Sequence, residues 1–286
     1  MTLSKDHIQT QSLLAFNAWK TLWIKNCKAN KEKIKTSHKD FLGRFKGKRA
    51  FLFAYGPSFK ANIEEFKAKY QSQPDIIVGC VDKAFRPLVA LGVIPDYVLV
   101  ADGSVDAGEW LSGISVETLK KTILIANVYC SPAWPEMWCK HNLEHSILWY
   151  LNKDNIECTK NNKCGTAEYF APICGYNEII EAGSNVGNSL VIFANKIFGS
   201  KELFLYAYDY CWRHGEYYGV EAHQKRYLTP SFRVVDNCKE LAFSTMNMEF
   251  SAKWLDSYII FVRRMYGVVT KNLTGRGILR EGRLAA

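Results

Sequence analysis

The sequence predicts an α/β fold, a mostly parallel sheet with helices on both faces and helical additions at the N- and C-termini. Three observations predict it. Short apolar runs recur along the chain, as in Phe51-Leu-Phe-Ala-Tyr55 and Leu203-Phe-Leu-Tyr-Ala207. Segments with apolar residues at helical spacing separate these runs. Small, hydroxyl or acidic residues follow nearly every run. Near-continuous apolar strands alternating with helices mark a sheet covered on both faces.

The elements follow in order. Residues 7–35 read as a helix, with Ile8, Leu13, Leu14, Phe16, Trp19, Leu22 and Trp23 as its apolar face. A lysine-rich stretch, Lys25 to Arg49, overlaps its end and reads as a solvated helical hairpin, with contact to an anionic partner as the competing reading. Strands are predicted at Ala50–Tyr55, Asp75–Cys80, Tyr97–Ala101, Thr122–Val128, Ser146–Leu151, Glu178–Glu181 and Glu202–Ala207. Helices are predicted at Phe59–Tyr70, Lys83–Leu91, Ser115–Lys120, Pro132–His141 and Asn185–Phe198. The polar segment Asn152–Gly165 reads as a loop of the kind that serves as a lid. Phe243–Tyr266 reads as an amphipathic helix, followed by a short strand, Gly267–Lys271, and a basic tail. The economical division is a basic helical extension over 1–48, one α/β domain over 49–275 with helix 243–266 packed on it, and a tail over 276–286.

With 286 residues the chain can bury a large core. Apolar residues at 48% and charged residues at 23% exclude a disordered chain. The net charge of +9 favours anionic partners such as nucleic acid, a phosphorylated glycan or a nucleotide, against the plainer reading of a lysine-bearing solvated surface. Nine cysteines, an odd number with no Cys-x-x-Cys spacing, match a reducing compartment rather than a disulfide framework. There is no signal peptide and no apolar run of membrane-spanning length, so a cytoplasmic protein is the expectation.

Two turns carry the chemistry. Gly56-Pro57-Ser58 joins a strand to a helix start, and Ala182-Gly183-Ser184-Asn185-Val186-Gly187-Asn188 repeats that arrangement. Backbone N–H groups and a positive helix end aimed at one point suit a phosphate. Neither turn is followed by Gly-Lys-Ser/Thr, and Gly-x-Gly-x-x-Gly is absent, which argues against a P-loop or ordinary dinucleotide binding. Further strand ends present Val81-Asp82-Lys83, Asp102-Gly103-Ser104, Asn127 to Cys130 and Tyr208-Asp209-Tyr210. Ligands of open parallel sheets sit along that edge.

These segments, together with Cys80-Val-Asp82-Lys-Ala84 and Leu91-Gly-Val-Ile-Pro95-Asp96-Tyr-Val-Leu-Val-Ala-Asp102-Gly103, resemble the MptE-like family. Phe198-Gly-Ser-Lys-Glu-Leu-Phe-Leu-Tyr-Ala-Tyr-Asp209 and Val269-Thr-Lys-Asn272-Leu-Thr-Gly275 extend the resemblance over roughly residues 44–275. The family includes archaeal 6-hydroxymethylpterin diphosphokinases and the central domain of bacterial motility-accessory-factor glycosyltransferases. It implies a Rossmann-like, sialyltransferase-like fold acting on nucleotide-linked phosphates. Ala54 and Tyr55 depart from the pattern, standing where the family often carries a further glycine.

Roles follow from physical need. Gly56, Pro57, Ser58, Gly183, Ser184 and Asn185 are expected to hold donor phosphate oxygens. Asp102, beside Gly103, is expected to contact a ribose or a Mg2+ or Mn2+ ion, a helix N-cap being its competing role, and Asp82 has a weaker claim to the same work. Asp209 ends an apolar strand, where a buried acid needs a partner or a task, either orienting a base or binding the acceptor hydroxyl. Glycosyl transfer needs a base and a group to stabilise the leaving phosphate. His223 is preferred over His214 as base, with Tyr217 or Tyr218 donating to the phosphate. His141-Asn-Leu-Glu144-His145 matches a zinc-protease pattern, but that pattern needs one continuous helix and a strand is predicted from Ser146, so no zinc is expected.

The sequence therefore predicts a glycosyltransferase that uses a nucleotide-activated sugar as co-substrate. Its acceptor hydroxyl would belong to a large anion such as a glycan or hydroxymethylated DNA. An ATP-dependent diphosphokinase acting on a pterin-like alcohol is the alternative, and a non-catalytic nucleotide- or nucleic-acid-binding protein is the third reading.

Overall fold

The computed structural model describes residues 5–104, 109–153, 166–181, 183, 185–213 and 231–283. The chain runs α1 (Lys5–Asn30), β1 (Arg49–Phe53), α2 (Phe59–Lys69), β2 (Ile76–Val81), α3 (Asp82–Ala90), β3 (Tyr97–Val100), α4 (Val116–Lys121), β4 (Ile123–Asn127) and α5 (Ala133–Cys139). It continues through β5 (Ile147–Lys153), α6 (Thr166–Cys174), β6 (Ile179–Glu181), α7 (Val186–Ile192), β7 (Glu202–Tyr206), β8 (Ser231–Val235), β9 (Leu241–Thr245), α8 (Met246–Tyr266) and β10 (Val269–Asn272). Eight of these strands pair in parallel between flanking helices, the α/β, Rossmann-like arrangement that the alternating pattern predicts.

The chain divides into two compact units, each built from two separate stretches. Residues 42–96 and 183–286 form one, with parallel strands in the order β10-β7-β1-β2. Its core is an aromatic stack across β1 and β7: Phe51 lies 4.4 Å from Phe204 and Phe53 lies 5.0 Å from Tyr206, both stacked. Phe66 of α2 meets Phe51 and Phe53 from above. Register pairs Phe51 with Phe204 and Phe53 with Tyr206, so strand pairing aligns the rings. Each ring buried this way contributes roughly 1.5–3 kcal/mol.

Residues 1–41 and 97–182 form the other unit, with parallel strands in the order β3-β4-β5-β6. Here α1 packs through Phe16 onto Tyr169 and Phe170 of α6, and through Trp23 onto Tyr129 just past β4. Two buried asparagines one turn apart on α1 fasten the strand-end loops. Asn26 donates to the carbonyls of Gly103 and Tyr129, and Asn30 to those of Val128 and Cys130.

The structure departs from the predicted elements at four places. The helix expected over 7–35 stops at Asn30, followed by a 3-10 turn over Lys31–Lys33. The helix expected from Phe243 starts at Met246, because Thr245 caps it by accepting from the Met248 amide. Phe243 instead lies in β9, which pairs antiparallel with β8. That hairpin turns at Asp236, which accepts from the amides of Cys238 and Glu240, with Lys239 in the left-handed region at φ +64°. The helix expected over 185–198 becomes a π turn after Ile192. Among the described residues no helix is long and apolar enough to cross a membrane.

Candidate functional site

The site grows from the end of β7. Past Tyr206 the chain leaves the strand, and Ala207 and Tyr210 adopt left-handed backbone at φ +60° and +54°. Such conformations cost non-glycine residues on the order of 1 kcal/mol or more and persist only where the surroundings over-determine them. Here they do. The Ala207 amide donates to Asn62 Oδ1 at 2.8 Å and the Tyr208 amide to Thr274 Oγ1 at 3.0 Å. The Asp209 and Tyr210 carbonyls accept from the Ile278 amide and the Ser244 hydroxyl, each at 2.9 Å.

Asp209, between these two residues, is 1% exposed. Its Oδ2 accepts from the Ser58 hydroxyl at 2.7 Å and from the Ser58 amide at 3.3 Å. Its Oδ1 meets Arg276 Nε at 3.3 Å. Burial pushes its carboxyl up to about 6, against the Ser58 hydrogen bonds and the Arg276 charge that pull it down. Gly56 makes this contact feasible, since a Cβ there would stand 2.1 Å from Asp209 Oδ2. The first turn thus binds an anion, and the anion is the chain's own carboxylate.

The second turn is fastened to the same segment. The Tyr208 hydroxyl donates to the Gly187 carbonyl at 3.0 Å, and the Tyr210 hydroxyl donates to Asn188 Oδ1. Asn188 is fully buried, and its Nδ2 donates to the carbonyls of Gly183 and Ser251. Asn185 caps α7 by accepting from the Asn188 amide at 2.8 Å. Gly183 has no room for a side chain, because a Cβ would stand 2.3 Å from the Asn188 Cβ and 2.6 Å from the Trp254 ring. Tyr208, Asp209 and Tyr210 together tie the starts of α2 and α7 to the end of β7.

The structure therefore joins Gly56, Pro57, Ser58, Gly183, Asn185 and Asp209 in one unit. Asp82 belongs to that unit as the buried first residue of α3, where its Oδ1 accepts from the Lys83 amide. Asp102 and Gly103 belong to the other unit. Asp102 is half-buried and closes its own turn by accepting from the Ser104 amide at 2.8 Å. His223, Tyr217, Tyr218 and Ser184 lie outside the described residues.

Among the described residues no three His, Cys, Asp or Glu side chains gather where they could hold a metal ion. His141 and His145 do not share a helix. Helix α5 ends at Cys139, Asn142 sits at φ +58°, and Glu144–Ser146 forms a 3-10 turn.

Sequence reasoning missed Asn62, Asn188, Thr274 and Arg276. Asn62 lies one turn past Ser58 and Asn188 one turn past Ser184, positions where an asparagine on a helix start signals a second contact. Arg276 stands between Gly275 and Gly277 in a stretch that reads as basic tail, and it signals only a charge.

The family model described as 6-hydroxymethylpterin diphosphokinase MptE-like matches residues 23–215. No individual curated protein matches the chain in sequence. In structure the chain is similar to the MAf glycosyltransferase from Magnetospirillum magneticum AMB-1, with a TM-score of 0.59 and 18% identity over 91% of this chain and 38% of that one. That likeness is one of fold, and this chain spans well under half of its neighbour's length. Because the family model spans more than half of the 286 residues, the chain belongs to the MptE-like family.

Proposed function

We propose that this chain is a transferase that takes a nucleotide-activated sugar as donor and moves the sugar to an acceptor hydroxyl. The observation that carries this reading is the fastening of two turn-to-helix elements, at Ser58 and at Gly187-Asn188, to the single segment Tyr208–Tyr210. A donor with linked phosphates needs binding elements fixed relative to one another, and preorganised dipoles act at full strength only when held so. Family membership and the fold shared with a MAf glycosyltransferase add support.

In this reading Gly183, Ser184 and Asn185 hold donor phosphate, and the Arg276 charge lies beside Asp209. Ser58 exchanges Asp209 for a phosphate oxygen as the donor arrives. His223 takes the proton of the acceptor hydroxyl while its oxygen attacks the anomeric carbon. The bond from that carbon to the phosphate oxygen breaks, and its electron pair leaves with the nucleotide, stabilised by Tyr217 or Tyr218. Asp82 serves donor binding, and no step is routed through a metal ion. The +9 charge suits a large anionic acceptor, a glycan or modified DNA.

Diphosphate transfer from ATP to a pterin-like alcohol is the second reading, favoured by the diphosphokinase description of the family model. One experiment separates them: a mass-spectrometric screen for nucleotide release, offering nucleotide sugars or ATP with and without magnesium. Release of a nucleoside mono- or diphosphate from one sugar donor is the expected result. AMP from ATP alone establishes the second reading, and release from neither overturns both.

A further inference from the structure

Three cysteines gather inside the unit that holds β3 to β6. Cys27 lies on α1, Cys130 just past β4 and Cys174 at the end of α6, all buried and all free thiols. No step of sugar transfer uses them.

The packing of α1 against α6 sets Cys27 against Cys174, because contacts advance together along the two helices. Trp23 meets Phe170 edge-to-face at 6.1 Å. Cys27 and Cys174 stand one turn further along each helix, and there the Cys27 thiol donates to the Cys174 sulfur. One turn past Cys27, Lys31 reaches Gly175, its Cε lying 3.7 Å from where a side chain on that glycine would begin. Packing of the same two segments therefore brackets the thiol contact on both sides. Cys174 Sγ donates in turn to the Phe170 carbonyl at 3.1 Å, which leaves its lone pairs for the Cys27 proton. Sulfurs in hydrogen-bond contact on a fixed backbone are placed for the small side-chain rotations that a disulfide requires.

The two thiols are not equivalent. The hydrogen bond from Cys27, the Tyr176 and Cys174 amides and the Lys31 charge hold the Cys174 thiol below the ordinary cysteine range, against burial. The same bond, with burial, pushes the Cys27 thiol up. Cys174 also adjoins Gly175, which is exposed, so a small reagent from solvent reaches it first. The thiolate is the reactive form, which makes Cys174 the attacking sulfur and Cys27 the resolving one. Cys130 turns its thiol to the Ser131 carbonyl at 3.7 Å.

We propose that Cys27 and Cys174 form a reversible disulfide between α1 and α6, with a hydroperoxide as the oxidant. The Cys174 sulfur attacks one peroxide oxygen. An S–O bond forms, the O–O bond breaks, and the departing oxygen takes up the thiol proton and leaves as water or, from an organic peroxide, as an alcohol. The Cys27 sulfur then attacks the sulfenic acid sulfur. The S–S bond forms, the S–O bond breaks, and hydroxide leaves with the Cys27 proton as water. Two thiols lose two electrons and two protons, and the peroxide gains both. Exchange with two equivalents of a small thiol reverses the change. The bond ties α6 to the stretch of α1 whose Asn26 and Asn30 hold the carbonyls of Gly103 and of residues 128–130. The inference stands apart from the transferase reading, because the bond is detected without turnover.

Hydrogen peroxide added to the full chain, followed by alkylation of the unfolded protein and peptide mapping by mass spectrometry, tests it. The expected product is an intramolecular disulfide from Cys27 to Cys174 that dithiothreitol removes. Cys27→Ser lacks the resolving thiol and should stop at the sulfenic acid, so that capture of Cys174 by dimedone rises roughly tenfold or more. If that variant does not fold, dimedone present during a peroxide pulse on the unaltered protein should divert product from the disulfide to a Cys174 adduct. A disulfide that pairs either residue with Cys130 overturns the proposal. Oxidation of Cys174 to sulfinic acid without a disulfide overturns it as well. So does finding both thiols free under peroxide that fully oxidises the exposed Cys238.

Discussion

The Ser58 hydroxyl and the Asp209 carboxylate meet at 2.7 Å although 151 residues separate them. The same hydroxyl lies 3.0 Å from Asn62 Oδ1, which the Ala207 amide holds in place. One hydroxyl proton cannot serve two acceptors at full strength. With Asp209 ionised, the proton goes to the carboxylate and the contact to Asn62 lacks one. With Asp209 neutral, the carboxyl proton bonds Ser58 Oγ and the serine proton passes to Asn62, so every oxygen is matched. Hydrogen bonding within this trio therefore has a complete arrangement for the neutral acid, the form that burial already favours.

Stability should report that preference. The Asp209 carboxyl is raised to about 6 in the fold, from roughly 3.9 in an unfolded chain. Between those values the folded state binds the extra proton, so this group's contribution to stability is full below pH ~4 and is lost as pH rises through 6. The Arg276 charge acts on it, and it acts in turn on the Cys211 thiol, which burial pushes up to about 12. Asp209→Asn removes the dependence. Denaturant titrations from pH 4 to 7 should show the variant gaining roughly 2–3 kcal/mol on the unaltered protein as pH rises. Parallel curves for the two proteins would contradict the assignment.

Gly56 should tolerate no side chain. An alanine Cβ would stand 2.1 Å from Asp209 Oδ2 and 2.7 Å from the Ala207 carbonyl, and neither can move without breaking the contacts just described. Gly56→Ala is expected to cost about 2–3 kcal/mol and to abolish transfer. Gly92→Ala is the control. That glycine has φ +80° and open space around it, so only backbone strain of about 1 kcal/mol is expected, with activity kept. Equal losses in unfolding midpoint would refute the steric argument.

Legibility followed the range of the interactions. The strands of the parallel sheet were readable because each is a local apolar run, and Phe51 to Phe53 need no distant partner to be identified. Gly56, Ser58 and Asp209 were legible as turn residues at strand ends. What they bind was not: a phosphate was expected at Ser58, and Asp209 occupies its amide and hydroxyl. That contact depends on the β1–β7 pairing, which no local pattern reports. Arg276 read as tail charge for the same reason. The β8–β9 hairpin was lost because Phe243 has helical spacing with the residues after it, whereas in the fold it pairs across the hairpin with Arg233.

Thr245 marks that boundary and can be tested by itself. It ends β9, and its hydroxyl accepts from the Met248 amide to start α8. Thr245→Ala leaves that amide without its cap and should lower stability by about 1 kcal/mol. Thr245→Ser retains the oxygen and should recover most of the loss. An alanine variant as stable as the serine variant in chemical denaturation would show that the cap contributes nothing.

The competition at Ser58 leads to the prediction closest to function. A donor phosphate that approaches the first turn seeks the amide and hydroxyl that Asp209 already occupies, and meets its negative charge besides. Protonating Asp209 removes that charge and permits the Ser58 hydroxyl to turn away. A nucleoside diphosphate sugar has no group of its own that titrates near pH 6, so the protein's titration can be read directly. Affinity for the donor selected in the release screen is expected to rise as pH falls through 6, by roughly tenfold for each 1.4 kcal/mol of repulsion removed. Asp209→Asn should bind the donor tightly at both pH values, with the slope gone. Calorimetric titration at pH 5 and pH 7.5 decides the matter. A variant that retains the pH dependence of the unaltered protein would assign it to another group and place the donor phosphate away from Ser58.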